Sequence, residues 1–487
     1  MLQNHTRQVI PSAYNIITSN RSIGYTLDSA IADIIDNSIS AKATIVEIIA
    51  PPQVDENPVI KICDNGIGMN QAELDLAMTF GSIDSLSKRD VQDLGRYGLG
   101  LKTASLSQCR ILSVVTKKNG NLIGGQWNLD FIKKNNNWLY LVLSETECLQ
   151  KIQETNLLTY SSGTVVIWED FDRIRESSNS PQSEFIKQLG YTRNQLELIY
   201  HRYLSGENGL IKVSIFLNGL RLEPNDPFLL NKIPSISESI KIPMKDGIVL
   251  VTPHKLLHPD KMSKSELNRL SLGRNLLNTQ GFYLYRNKRL IIWGTWFRVA
   301  PKLDKTKLCR IQVDIPNTLD HIWALDIKKS SALPPESIRD QLKNILDTHL
   351  ELSVMTYKRK ASKKFKNEIP FWKRIRTKDD ESKYLINMDN PVINHFCSSL
   401  DVSQKTKFLH ILDAISQHLP IAQLHFDIQN DEGIANERYS TLLTKDDIHK
   451  LIFQYLEFGI SLEDIQKITP ICYYTDEYNE FVVKDKK

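Results

Sequence analysis

Apolar residues recur at helical spacing between Thr26 and Ile39, where Ala30, Ile31, Ile34 and Ile35 share one face. That spacing predicts an amphipathic helix. Two short β-branched runs follow, Ile45–Ile49 and Val59–Cys63. Ile111–Thr116 leads into Asn119-Gly120, the residue pair of a tight hairpin. Trp138–Leu143 and Thr164–Trp168 read as further strands. The pattern is mixed α/β (α+β), with helices on one largely antiparallel sheet.

A polar stretch at 174–183 predicts a boundary. Beyond it, a helix is expected from Phe185 to Leu204, then a strand at Lys212–Leu217 ending in Asn218-Gly219. Phe282–Tyr285 and Leu290–Trp293 flank a tight turn, and Arg310–Ile315 adds a strand. Pro334-Pro335-Glu336 opens a helix expected to run past Lys358. Further on, Lys405–His418 and Lys445–Phe458 are helical in pattern. Thr444 with Asp447, and Ser461 with Asp464, resemble capping boxes with Asp in the Glu position. The expected division is 1–180, 181–355, a basic helix or linker at 356–378, and a mainly helical region at 379–487.

The chain has 487 residues, which at roughly 100–200 residues per domain predicts two to four domains. An apolar content of 41% excludes wholesale disorder. No apolar run approaches the roughly 18 residues a membrane helix needs, and Met1-Leu2-Gln3-Asn4-His5 lacks the features of a signal peptide. The cysteines are widely scattered and form no CxxC pair, which argues against a zinc ribbon or disulfide framework and predicts a reducing, cytoplasmic setting.

Three segments carry candidate chemistry. In Asp33-Ile34-Ile35-Asp36-Asn37, Asp33 and Asn37 are four residues apart and share a helix face. A carboxylate there can orient and deprotonate water, and an amide oxygen one turn later can ligate Mg²⁺. Asp64-Asn65-Gly66-Ile67-Gly68-Met69 follows a strand directly. Its glycines allow a close backbone path, and a buried Asp can accept from an exocyclic amine such as that of adenine. It is not a dinucleotide fingerprint, because Gln71 stands where that pattern needs glycine. Gly95-Arg96-Tyr97-Gly98-Leu99-Gly100-Leu101-Lys102-Thr103 runs into a helix, a natural phosphate cradle. It is not a Walker A loop, since Leu101 separates Gly100 from Lys102-Thr103. Ser162-Gly163-Thr164 is a weaker fourth feature. Each segment alone is compatible with an ordinary helix face, a strand-exit turn or a flexible glycine loop.

In this order the segments resemble the GHKL ATPase superfamily of gyrase-type topoisomerases, heat-shock chaperones, histidine kinases, MutL and MORC proteins. Asp33 through Thr44 is similar to the MutL and MORC version of the first box. The resemblance implies a two-layer ATP-binding sandwich with ATP and Mg²⁺ as cofactors. It implies Asp33 as general base and Asn37 as the Mg²⁺ ligand. Asp64, Gly66, Gly68 and Met69 fall on the adenine box. Gly95, Gly98, Leu99, Gly100, Leu101 and Lys102 fall on the phosphate end of the ATP lid, which would span roughly 78–98. Thr164 falls on the last box. Relatives usually carry Glu at position 33; either the helix sits closer to the nucleotide here or hydrolysis is slow. Asp36 is a second candidate base but points away on the helix.

The second region resembles the transducer domain of topoisomerases, MutL and MORC, which projects a lysine to the γ-phosphate. Lys329 is preferred over Lys328 for that role. His254 and His258 invite a metal reading, but Pro253 and Pro259 predict a loop, and no third ligand is near. From Thr356 to Lys378 there are ten basic residues opposed only by Glu368, with Tyr357, Phe365, Phe371 and Trp372 interleaved. This is the footprint of a nucleic-acid contact, or of a solvated helix and linker. The resulting expectation is a cytoplasmic ATPase acting as an ATP-dependent homodimeric clamp on DNA. Partners encoded nearby and a role in bacterial restriction or antiviral defence are part of it. Alternatives are a heat-shock-type chaperone, which would lack salt-sensitive DNA affinity, and a MutL-like repair ATPase. A histidine kinase would need a dimerising phospho-acceptor helix before the first box.

Overall fold

In the computed structural model, the described residues are 12–22, 24–51, 58–81, 100–177, 180–207, 209–232, 238–303, 306–320, 322–323, 334–348, 369–376, 382–420, 423, 444–468, 471 and 474–485. Two compact units divide the chain, Met1–Val354 and Met355–Lys487.

The first unit begins with α1 (Ala13–Arg21), α2 (Leu27–Ser40), β1 (Ile45–Ile49), β2 (Val59–Asp64), α3 (Gln71–Met78) and α4 (Gly100–Gln108). Next come β3 (Ile111–Lys118), β4 (Asn121–Asn128), α5 (Leu129–Asn135), β5 (Leu141–Leu143), α6 (Glu145–Lys151), β6 (Gly163–Glu169) and α7 (Asp172–Ser177). Then follow α8 (Pro181–Ile199), α9 (His201–Ser205), β7 (Ser214–Leu217) and β8 (Leu220–Arg221). Eight strands form one sheet in the order β5-β4-β3-β6-β2-β1-β7-β8. It is antiparallel except where β1 meets β7. Helix α2 starts where Thr26 and Ser29 close a capping box, and it buries the predicted face, Ala30, Ile31, Ile34 and Ile35, on the sheet. The hairpin at Asn119-Gly120 is as expected, both residues having positive φ (52° and 82°).

Three expectations need adjustment here. The polar stretch at 174–183 is not a break in the sheet. Phe185, Leu196, Ile199 and Leu222 complete the same core as Ile31, and the Asn218-Gly219 hairpin joins the first sheet through β1. The helix expected from Phe185 to Leu204 is interrupted at Tyr200 (φ −103°, ψ 13°). The strand expected from Trp138 shrinks to Leu141–Leu143, because Trp138 packs instead against Phe80 and Trp127.

The same unit continues with β9 (Ile240–Met244), β10 (Gly247–Lys255), α10 (Lys264–Ser271), α11 (Leu276–Thr279), β11 (Gly281–Arg286), β12 (Arg289–Thr295) and β13 (Cys309–Ile315). A helix at residues 336–348, α12, follows. The second sheet has the order β12-β11-β13-β10-β9. Ile338, Leu342 and Leu346 of α12 are buried with Val251, Ile311 and Trp323. His254 lies in β10 and not in a loop, stacked 4.2 Å from Phe228. Pro253 is tolerated because β9 pairs with β10 only as far as Val251, leaving the outer edge open at the proline. Among the described residues no cluster of three metal-binding side chains occurs.

The second unit contains β14 (Trp372–Arg376), β15 (Ser382–Ile386), α13 (Pro391–Ser399), α14 (Val402–Gln417), α15 (Lys445–Glu457), α16 (Leu462–Ile465) and α17 (Thr475–Asp485). Its core gathers Ile448, Ile452, Ile465, Ile468 and Tyr478. The Thr444–Asp447 box closes at the start of α15, and Ser461 donates to Asp464 at 2.8 Å. The unit is mainly helical as expected, but the end of the basic stretch is a strand. Trp372 to Arg376 pairs antiparallel with Ser382 to Ile386. Residues 349–368 of that stretch and its approach lie outside the described residues.

Candidate nucleotide site

The first-box residues lie on α2 with their neighbours fixing each side chain. Asp33 is buried, and the Tyr25 hydroxyl donates to its Oδ2 at 3.0 Å. Asn37, one turn on, is exposed on that stretch of helix. Asp36 is buried, its Oδ1 taking Arg289 Nε at 2.9 Å and lying 2.7 Å from the Tyr200 hydroxyl. Of the two candidate carboxylates, Asp36 is therefore occupied by an ion pair.

Asp64 ends β2 at the sheet's centre. Oδ1 accepts from the Gly66 amide at 2.8 Å, and Oδ2 accepts from Ser38 Oγ at 2.9 Å. Burial pushes its pKa up, opposed by the bonds from Gly66, Ser38 and the Thr164 backbone. A side chain on Gly66 would press on Asp64 Oδ1 and the Ala41 carbonyl, each 2.9 Å from its Cβ. Gly68 has φ 64°, and a Cβ there would overlap the Lys117 carbonyl oxygen. Met69 N donates to Thr116 Oγ1 at 2.9 Å. Thr164 stands opposite Asp64 in the β2–β6 ladder, its hydroxyl 3.1 Å from that of Thr116. Sheet pairing thus brings together residues a hundred positions apart.

Among the described residues α4 begins at Gly100. A Cβ on Gly100 would sit 3.7 Å from Asp33 Oδ2. The start of α4 thus lies close against the Asp33 carboxylate. Leu101 packs against the core. Lys102 turns the other way: its Nζ donates to the Ala77 carbonyl at 2.6 Å and lies 5.8 Å from the Phe80 ring. Burial lowers its pKa to about 8. Gly95, Gly98, Leu99, Lys328 and Lys329 lie outside the described residues.

The donor set fits an anionic nucleotide. It offers a buried carboxylate acceptor beside tight glycine turns, a helix whose first described residue is Gly100, and an acid–amide pair one turn apart on α2. Sequence reasoning missed Tyr25, Ser38, Thr116, Tyr200 and Arg289. Ser38 stands inside the Asp33-to-Thr44 segment without a role having been assigned to it, and Tyr25, Thr116, Tyr200 and Arg289 lie outside the four segments.

This sheet, helix and glycine arrangement defines a GHKL-type ATPase domain. Residues 25–164 match the family of histidine kinase-, DNA gyrase B- and HSP90-like ATPases, and this segment belongs to that superfamily. Within it the likeness is to MORC proteins. Over 111 residues the chain is 30% identical to ATPase MORC2B of Mus musculus, covering 22% of this chain and 11% of that protein. Over 106 residues it is 34% identical to ATPase morc-1 of Caenorhabditis elegans, covering 22% and 12%. The matched segment thus spans only about a tenth of each relative. No helix among the described residues is long and apolar enough to cross a membrane.

Proposed function

We propose that the protein is a Mg²⁺-dependent ATPase whose nucleotide state drives pairing of two copies into a clamp on DNA. The observation that carries the ATPase reading is the closeness of the start of α4 to Asp33, whose Oδ2 would lie 3.7 Å from a Cβ on Gly100. Asp64 would receive the adenine amine, with Gly66, Gly68, Met69 and Thr164 shaping the pocket wall. Asn37 would ligate Mg²⁺, and the amides at Gly100 and Leu101 would face phosphate oxygens. Bound, Mg²⁺–ATP supplies the phosphoanhydride bond and much of the charge neutralisation. Asp33, held by the Tyr25 hydroxyl, would orient a water and take its proton at a carboxylate oxygen. Lys329 would add a positive charge at the γ-phosphate.

The DNA part rests on the ten basic residues between Thr356 and Lys378. A role in restriction or antiviral defence, with nearby-encoded partners and a cytoplasmic location, completes the proposal. A chaperone of the heat-shock type predicts stimulation by client protein instead. The test is paired: Asp64→Asn abolishes ATP binding, whereas Asp33→Ala binds ATP but does not hydrolyse it. Asp33→Ala turning over at the wild-type rate would overturn the base assignment. Sedimentation with a non-hydrolysable analogue should show a dimer, and an unchanged mass with analogue bound removes the clamp.

A further inference from the structure

The second sheet reaches into the helix that carries the candidate site. Strands β11 and β12 turn through Asn287 and Lys288, both at positive φ (47° and 68°). That turn places Arg286 and Arg289 opposite each other on the two strands. The two guanidinium groups serve different carboxylates. Arg286 pairs with Asp320 at 2.7 Å, within its own domain's fold. Arg289 crosses to α2 and donates from Nε to Asp36 Oδ1 at 2.9 Å.

Asp36 stands between Asp33 and Asn37 in the sequence of α2. Its contacts form a closed polar knot. The Tyr200 hydroxyl lies 2.7 Å from both Asp36 Oδ1 and the Ala32 carbonyl oxygen. Asp36, Tyr200 and Arg289 are 1%, 0% and 4% exposed. Burial works against the Arg289 charge, and Asp36, Tyr200 and Asp33 outweigh it. The tip of the hairpin is itself fixed, since the Tyr203 hydroxyl donates to the Asn287 carbonyl at 2.7 Å.

A buried charge pair of this kind holds one geometry, because neither partner can relax into water. We infer that Arg289 is a positioning residue for the hydrolysis proposed above: anchored on β12, it sets the roll of α2 through Asp36 and so the placement of Asp33 and Asn37. The inference rests on the ATPase reading. The lever is short and stiff. A helix roll of about 15° moves a carboxylate roughly 5 Å off the axis by a little over 1 Å. Misplacement of about 1 Å can cost on the order of 100-fold in rate. The effect falls first on turnover, because Asp33 rides on the lever itself, whereas Asp64 lies on β2 and is tied to α2 through the Ser38 hydroxyl at 2.9 Å.

The test compares Arg289→Lys with Arg286→Lys, an equally buried arginine in the same hairpin that touches no residue of α2 in a described ion pair. Lysine keeps the charge but not the Nε that donates to Asp36 Oδ1. ATP turnover and backbone hydrogen exchange of Leu27–Ser40 are measured for both. Arg289→Lys should lower kcat about 10- to 100-fold, with KM for ATP within about threefold, and should speed exchange in α2. Arg286→Lys should leave kcat within about threefold and α2 exchange unchanged. Wild-type kcat in folded Arg289→Lys, or an equal loss in Arg286→Lys, overturns the inference. If Arg289→Lys does not fold, Asp36→Asn is the second variant, with the same expectation and the same overturning result. Exchange needs no nucleotide. A wild-type protein that fails to hydrolyse ATP therefore refutes the ATPase reading alone, while unchanged α2 exchange in Arg289→Lys and Asp36→Asn refutes the positioning role.

Discussion

Replacing Lys102 by methionine removes a buried charge from the base of the candidate phosphate helix, and the structure sets the size and pH dependence of the effect. Lys102 is 1% exposed. Its described partners are the Ala77 carbonyl and the Phe80 ring, with no carboxylate among them. Burial therefore dominates and lowers its pKa from 10.5 to about 8. Each pKa unit is worth about 1.4 kcal/mol, so the buried ammonium costs the native state about 3 kcal/mol below pH 8. The sign follows from proton counting. Between pH 8 and 10.5 the unfolded chain holds a proton that the native chain has released, so wild-type stability gains with rising pH. Methionine has similar bulk and no charge, and it gives up only the bond to Ala77. Urea unfolding of both proteins at pH 7.5 and 9.5, followed by tryptophan fluorescence, isolates the lysine. The difference between them cancels every other titrating group. The wild type should gain about 2 kcal/mol on the mutant across that interval. Parallel pH dependences would refute the burial argument and place the Lys102 amine in contact with water or an acid.

Gly68→Ala should destabilise the domain by more than about 2 kcal/mol in thermal unfolding, through strain at positive φ and overlap with the Lys117 carbonyl; a wild-type melting temperature would mean that loop repacks freely. For the basic stretch, about five phosphate contacts predict a slope of log DNA affinity against log salt near −4 to −5. Reversing Lys363, Lys364 and Lys366 to Glu should flatten that slope by roughly two to three units without changing DNA-independent ATP turnover. Wild-type affinity and slope in the triple mutant would sink the DNA assignment and favour the chaperone alternative.

Local signals in this chain were legible where one element decides its own structure. Helix α2, the Asn119-Gly120 hairpin and the Thr444 cap needed only spacing, turn chemistry and a side-chain acceptor. The boundary near 180 was misread because polarity at 174–183 reports exposure, not sheet membership. Strand β7 pairs with β1 across about 170 residues, which no local pattern records. Strands β9 and β10 escaped because Pro243 and Pro253 argue against strands unless the open edges are known. The site divides the same way. Asp33, Asn37, Asp64 and the glycines stand in short motifs. Ser38 points at Asp64 from another element, and Arg289 arrives from a sheet more than 250 positions later.

That division bears on the aspartate at position 33, where the superfamily usually has glutamate. Aspartate loses one methylene of reach, so either its helix sits closer to the nucleotide or hydrolysis is slow. The start of α4 lies close to this carboxylate: a Cβ on Gly100 would come to 3.7 Å of Asp33 Oδ2. The Tyr25 bond holds the shorter carboxylate in place, and the Asp36–Arg289 pair holds the helix beneath it. Tyr25 and Arg289, which stand outside the short motifs, thus fix the side chain that departs from the family pattern and the helix that carries it.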